Sequence, residues 1–447
     1  MENATSQPDS AIDQVIGHRR LLALAVPIVL ANLTQPVLSA VDTAVAGHLP
    51  GPEALGGVAL GGLFFNFVLW GFGFLRMGTT GLAAQAVGAG DRRALRAMLL
   101  RALSLAAAIG IVLLVLRTPL ISLALDLLGG SDAVHDKAAR YCNARIWSAP
   151  ASLGNYVVLG YLLGRQRVRL GLLLQITINL VNMALAIIFV FGLGWGVAGI
   201  GAATAGADWA GFALGAAVLW RMRHRNLPAA RWGEILERHA LLRLLAVNRD
   251  IFVRTLCLVA SFGWFAHLGA QLGDTVLAAN AVLLNFQTFM AFGLDGFAHA
   301  AEMLVGTAIG ARDALALHRA IRLSLIWAFG CALVFSLFYL LFGTAIIALL
   351  TDQPAIRATA ALYLPWAILS PVISVWGFQL DGIYIGAVRT RALRDSMVIA
   401  AAGFVAATML LEPIFANHGL WAALIILMLL RGATLGRGLN RLSVDSP

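Results

Sequence analysis

Apolar runs of about 20 residues, the length a helix needs to cross ~30 Å of hydrocarbon, recur from one end of this chain to the other. In lipid, such a chain can satisfy its backbone only as helices or as a closed barrel. The short alternating strands of a barrel are absent from the sequence. The expected fold class is all-α: a polytopic membrane protein of about 12 transmembrane helices in two parallel six-helix lobes around a central cavity. Composition supports the class, with 60% hydrophobic and 12% charged residues against about 25% charged in a soluble domain. That balance excludes a water-soluble enzyme, a nucleic-acid-binding domain and a disordered scaffold.

The spans are centred in residues 21–42, 54–78, 97–117, 138–163, 170–192, 196–220, 250–271, 276–308, 320–342, 358–388, 395–411 and 418–435. The domain reading follows: a polar N-terminus at 1–17, an N-lobe at 18–222, a basic linker at 223–248, a C-lobe at 249–436 and a tail at 437–447. The first 17 residues hold Asp9 and Asp13 and no apolar core, unlike a cleavable signal peptide, so the first span is expected to act as the insertion signal. Residues 221–249 carry Pro228 with alternating arginine and apolar residues. An interfacial amphipathic helix and an ordinary basic linker are equal readings there.

The formal net charge of +10 reports topology once the charges are located. Lys137 is the sole lysine among 32 basic residues. Arginines gather in alternate connections: Arg19 and Arg20; Arg92, Arg93 and Arg96; Arg165, Arg167 and Arg169; the central stretch from Arg221 to Arg249; Arg312, Arg319 and Arg322; Arg389, Arg391 and Arg394; Arg431, Arg437 and Arg441. The opposite side holds Arg117, Lys137 and Arg357. Positive charge stays on the cytoplasmic side, which predicts both termini there and an even number of spans. The cysteines Cys142, Cys257 and Cys331 lie far apart in or beside apolar runs and read as small core residues.

The chain also repeats itself. Shifted by 222 residues, 55–91 falls on 277–313 without a gap, and Leu55, Ala59, Phe64, Phe67, Gly71, Leu82, Ala86, Gly88, Ala89 and Asp91 meet identical residues. The same offset places Gly160, Gly164, Arg167 and Arg169 on Gly382, Gly386, Arg389 and Arg391. Parallel six-span halves related by an axis along the membrane normal are a secondary-transporter plan.

Acids at membrane depth are costly and face a cavity or a partner. Asp42 ends the first span, Asp208 lies in the sixth, Asp295 and Glu302 lie seven residues apart on one face of the eighth, and Asp381 lies in the tenth. An acid moved out of water holds its proton more readily, so it can load on one side and release on the other. Asp42, Asp381, Glu302 and Asp295 are the candidate ion-coupling residues, with helix capping or interior hydrogen bonding as the bland reading of each. Asn32, Gln35, Asn179 and Asn182, with Phe64, Phe67 and Trp70, are candidate cavity or substrate residues; interhelical bonding and lipid contact are the alternatives. Asn280, Asn285 and Gln287 add polar groups to the eighth span. Pro27 and Pro36 interrupt the first span and are candidate hinges, since proline removes a backbone hydrogen bond; a static kink is the other reading. The glycines Gly56, Gly57, Gly61, Gly62, Gly71 and Gly73 read as close-packing positions. No phosphate loop, metal motif or nucleophile constellation is present.

Several segments resemble one family: Val41-Asp42-Thr43-Ala44-Val45-Ala46-Gly47-His48-Leu49, Arg76-Met77-Gly78-Thr79-Thr80-Gly81-Leu82, Leu245-Ala246-Val247-Asn248-Arg249-Asp250, Leu294-Asp295-Gly296-Phe297-Ala298, Gly310-Ala311-Arg312-Asp313, Leu380-Asp381-Gly382 and Asn417-His418-Gly419-Leu420-Trp421-Ala422-Ala423-Leu424. Together, in order along nearly the whole chain, they resemble the multidrug and toxic compound extrusion (MATE) transporters, and within them the DNA-damage-inducible protein F (DinF) branch. The resemblance implies twelve helices in two lobes, cation-driven export and alternating access. It places Asp42 on a proton-coupling aspartate, Pro27 on a bending proline and Asn182 on an N-lobe cavity amide. Many relatives carry a second aspartate where this chain has Ala186, so the resemblance implies that Asp42 works without that carboxylate partner. Asp381 resembles the tenth-helix acid of a C-lobe cation site. The seventh helix offers Gly263 and Trp264 where other branches have a glutamate, and substitution by Glu302 is left open.

The expected function is an inner-membrane antiporter that exports hydrophobic, often cationic, organic compounds. H+ is the expected driver and Na+ the alternative, because no dense cluster of oxygen ligands is evident. No cofactor, no bound metal and no nucleic acid is expected; the partners are a small organic substrate and the bilayer, and the chain is expected to work as a monomer. A lipid-intermediate flippase is the second hypothesis, supported by the intramembrane arginines Arg76, Arg140, Arg145 and Arg254. An integral membrane enzyme is the third, and it lacks a converging catalytic cluster.

Overall fold

The computed structural model describes residues 16–32, 34–223, 233 and 237–444. It is helical almost throughout, with no strand among the described residues. The N-lobe comprises α1 (His18–Asn32), α2 (Thr34–Gly47), α3 (Pro52–Gly71), α4 (Phe74–Gly88), α5 (Arg92–Val115), α6 (Arg117–Leu128), α7 (Asp132–Arg145), α8 (Ala149–Gly164), α9 (Val168–Ile187) and α10 (Gly196–Arg223). The C-lobe comprises α11 (Arg238–Gln271), α12 (Asp274–Gly310), α13 (Ala314–Leu350), α14 (Pro354–Gly386), α15 (Thr390–Phe415) and α16 (Asn417–Arg437).

Ten helical stretches are long and apolar enough to span a membrane. The fourth pass falls short because it is built from two short helices, and the described stretches α1 and α2 of the first pass lie on either side of residue 33, which is outside the described residues. Within the first pass, Pro36 has no N–H to donate to the Asn32 carbonyl and its ring crowds that group, which weakens the helical ladder there. In the fourth, a 3₁₀ turn at Ile146–Ser148 separates α7 from α8. Helix α11 begins at Arg238, within the stretch 223–248 read as the basic linker. Of the segment 221–249, read as an interfacial helix or a basic linker, residues 224–232 and 234–236 lie outside the described residues.

The 222-residue offset holds at the level of backbone geometry. The stretches 52–88, 92–128 and 132–164 recur as α12, α13 and α14 with both ends in register. Asp91 caps α5 by accepting from the amides of Arg93 and Ala94, and Asp313 caps α13 by accepting from Ala316. Left-handed residues repeat in pairs: Gly51 with Gly273, Gly90 with Arg312, Gln166 with Val388, and Gly194 with Ala416. Three of these pairs put a non-glycine residue where L side chains are disfavoured, so helix-end geometry has outlasted residue identity.

Glycines set how the lobes meet. A Cβ on Gly160 or Gly164 would overlap the Arg76 or Thr80 carbonyl, which seats α8 against α4. Their counterparts Gly382 and Gly386 abut the Ala298 and Glu302 carbonyls, seating α14 against α12. Across the lobes, Gly88 abuts the Thr307 carbonyl and Gly310 abuts the Gln85 carbonyl. Gln85 donates to the Gly386 carbonyl at 3.1 Å, and Gln166 donates to Thr307 Oγ1 at 3.1 Å. Backbone approach of this kind is how small residues drive helix association where lipid removes the hydrophobic incentive. The interlock lies at the arginine-rich ends of α4, α8, α12 and α14.

Candidate functional site: an inter-lobe cavity with buried ion networks

A cavity of about 1320 Å³ lies between the lobes. Its wall comes from α1 and α2 (Pro27, Ile28, Ala31, Asn32, Pro36, Thr43, Ala44), α3 and α4 (Leu63, Asn66, Phe67, Trp70, Arg76), α8 and α9 (Tyr156, Leu159, Leu163, Val168, Gly171, Leu172, Gln175), and α11 and α12 (Val259, Asn285, Thr288, Phe289, Phe292, His299). Along α4 and α12 the cavity stops at Arg76 and His299. The interlocked stretches ending at Gly88 and Gly310 follow directly. A large, mostly apolar cleft with a few polar groups is the kind of place where small ligands bind.

The sequence candidates separate into groups. Phe67 and Trp70 are 64% and 61% exposed and line the cavity with Asn32, Pro27 and Pro36. Phe64 does not: it is 6% exposed, its ring edge-on to Phe65 at 5.0 Å in the N-lobe core. Asn179 and Asn182 are buried on α9 and do not line this cavity; Asn182 donates to Thr204 Oγ1 on α10 at 3.0 Å. The Gln35 side chain lies outside the described residues. Asn32 donates to the Phe292 carbonyl at 3.2 Å, tying the end of α1 to α12. Gly296 of α12 abuts Val29 and the Ala25 carbonyl of α1. Thus α1 packs mainly on α12 of the C-lobe and also on α9, while α2 packs on α3 and α9.

Asp42 sits on α2, partly buried, and its Oδ1 is buried without a hydrogen-bond partner. The Arg145 guanidinium is the charge that acts on it, and acts on Asp208 of α10 as well. Arg145 donates to Tyr141 Oη at 2.5 Å and stacks over the Phe65 ring at 4.5 Å. Ser152 donates to Asp208, and Asn155 donates to the Asp208 backbone carbonyl at 2.9 Å. Ala186 is fully buried. The N-lobe nevertheless holds two carboxylates facing one arginine, the second supplied by α10 rather than α9.

In the C-lobe, the Asp381 carboxylate is taken up by two buried arginines, Arg254 of α11 and Arg431 of α16, and Arg431 stacks over Phe378 at 5.2 Å. Glu302 is 0% exposed. Its Oε2 lies 3.3 Å from His299 Nδ1, and its Oε1 has no partner. Arg76 of the opposite lobe reaches the same His299 nitrogen at 3.3 Å and acts electrostatically on Glu302 and Asp295. Sequence reasoning missed His299, although its spacing of four from Asp295 and three to Glu302 puts all three on one helical face. No group of three or more His, Cys, Asp or Glu residues able to hold a metal occurs among the described residues.

One family model, MatE, matches residues 27–188 and again 251–414, one match per lobe. The chain belongs to the MATE transporter family. It is 44% identical over 93% of its length to the DNA damage-inducible protein F of Escherichia coli K12, covering 91% of that protein. It is 28% identical to the multidrug resistance protein MdtK of Klebsiella pneumoniae strain 342, over 65% of each chain. Among solved structures, a MOP superfamily transporter from Pyrococcus furiosus superposes with TM-score 0.86 at 18% identity, covering 95% of both chains. An outward-facing MATE multidrug resistance transporter superposes with TM-score 0.85 at 19% identity, also over 95% of both. The MATE fold, a multi-pass membrane transporter of twelve spans, is thereby established for this chain.

Proposed function

We propose that this MATE chain is a secondary antiporter of the bacterial inner membrane that exports hydrophobic organic compounds against an inward flow of H+, working as a monomer with both termini cytoplasmic. One arrangement supports the reading: an inter-lobe cavity lined by Pro27 and Pro36 of the first pass, with the unpartnered Asp42 carboxylate oxygen six residues beyond Pro36 on the same pass. Because α1 packs mainly on the C-lobe and α2 on the N-lobe, a change of charge at Asp42 can alter how the first pass bends. That bend then biases which face of the cavity is open, an alternating-access cycle with a two-state element named. Asp208 and Arg145 complete the N-lobe network, and Arg145 supplies the counter-charge to both aspartates. The Arg254 and Arg431 guanidiniums fill the hydrogen-bonding capacity of Asp381, which favours a brace over a sodium ligand there.

Of the four arginines that supported a flippase, only Arg76 lines the cavity. Arg140 pairs with Asp136 and Arg254 with Asp381, while Arg145 sits in the Asp42–Asp208 network. A single cavity arginine supports a small-molecule cavity better than a phosphate-lined path. The test is dye uptake into inverted vesicles under imposed pH or sodium gradients. Uptake driven by the pH gradient is expected; uptake driven by sodium alone contradicts the H+ assignment, and no gradient-driven uptake contradicts the antiporter.

A further inference from the structure

Four arginines lie among the buried networks, and three have evident work. Arg254 and Arg431 pair with Asp381, and Arg145 is held by Tyr141, Phe65 and the fields of two aspartates. Arg76 differs. No described carboxylate lies within ion-pair distance of it, and its hydrogen-bond partner is one nitrogen of His299. An arginine has five N–H donors in a fixed fork, so most of this fork is uncommitted. It lines the cavity, at the point along α4 where the cavity ends. A charge at membrane depth without a paired acid marks a functional position.

The rest of the wall sharpens the point. Among the described residues no Asp or Glu lines the cavity, and the polar groups beside Arg76 and His299 are neutral hydroxyls and amides such as Asn66, Gln175, Asn285 and Thr288. The acids that feel Arg76, Glu302 and Asp295 of α12, are not part of the lining, and Glu302 is sealed from it completely. The same wall carries Phe67, Trp70 and Phe289, an apolar surface for a ring system. A cationic guest would meet one like charge and no carboxylate. An anionic guest would meet a guanidinium with free donors, the strongest kind of hydrogen bond available to it.

We infer that this cavity selects amphipathic organic anions, with Arg76 receiving the negative group and the aromatic wall receiving the hydrophobic body. The inference rests on the transporter reading for its physiological meaning, but equilibrium binding tests it without any gradient. The probes are two xanthene dyes of similar shape, fluorescein (anionic) and rhodamine 6G (cationic), titrated by fluorescence anisotropy against the purified full-length protein in a neutral detergent. Fluorescein binds more tightly than rhodamine 6G by about tenfold or more, the scale of one charge-assisted hydrogen bond. Arg76→Gln abolishes that preference and Arg76→Lys keeps part of it. Because Arg76→Gln can disturb the lobe contact, near-isosteric variants at lining positions provide a second route: Asn66→Asp and Gln175→Glu put a carboxylate in the wall, weaken fluorescein binding and strengthen rhodamine 6G binding. Equal or tighter binding of rhodamine 6G by the unaltered protein overturns the inference, as does binding of neither dye. Indifference of both dyes to the two carboxylate variants overturns it as well. Gradient-driven uptake of rhodamine 6G alone would refute the anion preference while leaving the antiporter intact; failure of all gradient-driven uptake despite selective fluorescein binding would do the reverse.

Discussion

Gly88 and Gly310 are one position in two copies of the same design: each meets a carbonyl of the other lobe, Thr307 for Gly88 and Gln85 for Gly310, and those two carbonyl residues are themselves 222 apart. The pairing is reciprocal, so the two lobes close on each other about a pseudo-twofold axis at the arginine-rich end. Only a hydrogen fits at either site.

Gly88→Ala and Gly310→Ala are therefore expected to have matching effects. Each forces a methyl into a backbone carbonyl, an overpacking cost of about 1–3 kcal/mol that falls on the closed interlock. Labelling of a cysteine placed at Gln85 by a membrane-impermeant maleimide checks this. Faster labelling in both variants is predicted; unchanged labelling in both means the interlock is not the closed gate.

Asp381 is predicted to brace the C-lobe. Asp381→Asn leaves Arg254 and Arg431 buried without their carboxylate, and removing one partner of a buried pair costs about 3–5 kcal/mol. The melting temperature of the purified protein should fall clearly. An unchanged melting curve would show that the carboxylate is not needed to balance the two arginines.

Asn280 holds the far end of the same lobe. It exchanges hydrogen bonds with Asn417 at 2.7 and 2.9 Å and accepts from Trp421 Nε1 at 2.8 Å. Asn280→Leu strands buried donors on both partners, at about 1–3 kcal/mol each. Thermal melting should show a drop larger than that of Asn285→Leu, whose amide only bonds back to Ala281 on an exposed face. Equal drops would contradict the assignment.

Much of this architecture is written in the sequence because it rests on local rules. Apolar run length marks the passes, and the 222-residue offset, visible as scattered identities such as Phe67 with Phe289, proves to govern caps and left-handed turns. What stays hidden depends on which helices cross. Phe64 and Phe67 stand three residues apart, yet one packs on Phe65 in the core and the other faces the cavity, a difference set by which helices cover each position. Asp208 shares Arg145 with Asp42 only through the packing of α7 on α10, which no spacing along the chain reveals. Arg76 is legible as an intramembrane charge, but its lack of an acidic partner emerges only when every neighbouring helix is in place.

Asp42 is the most direct test of the whole account. Purified protein and its Asp42→Asn variant, reconstituted into proteoliposomes at equal density, are compared for substrate efflux coupled to an imposed pH gradient, with dye binding measured in parallel. The variant is expected to bind dye still but to lose gradient-driven efflux. Undiminished pH-driven efflux by Asp42→Asn would contradict it.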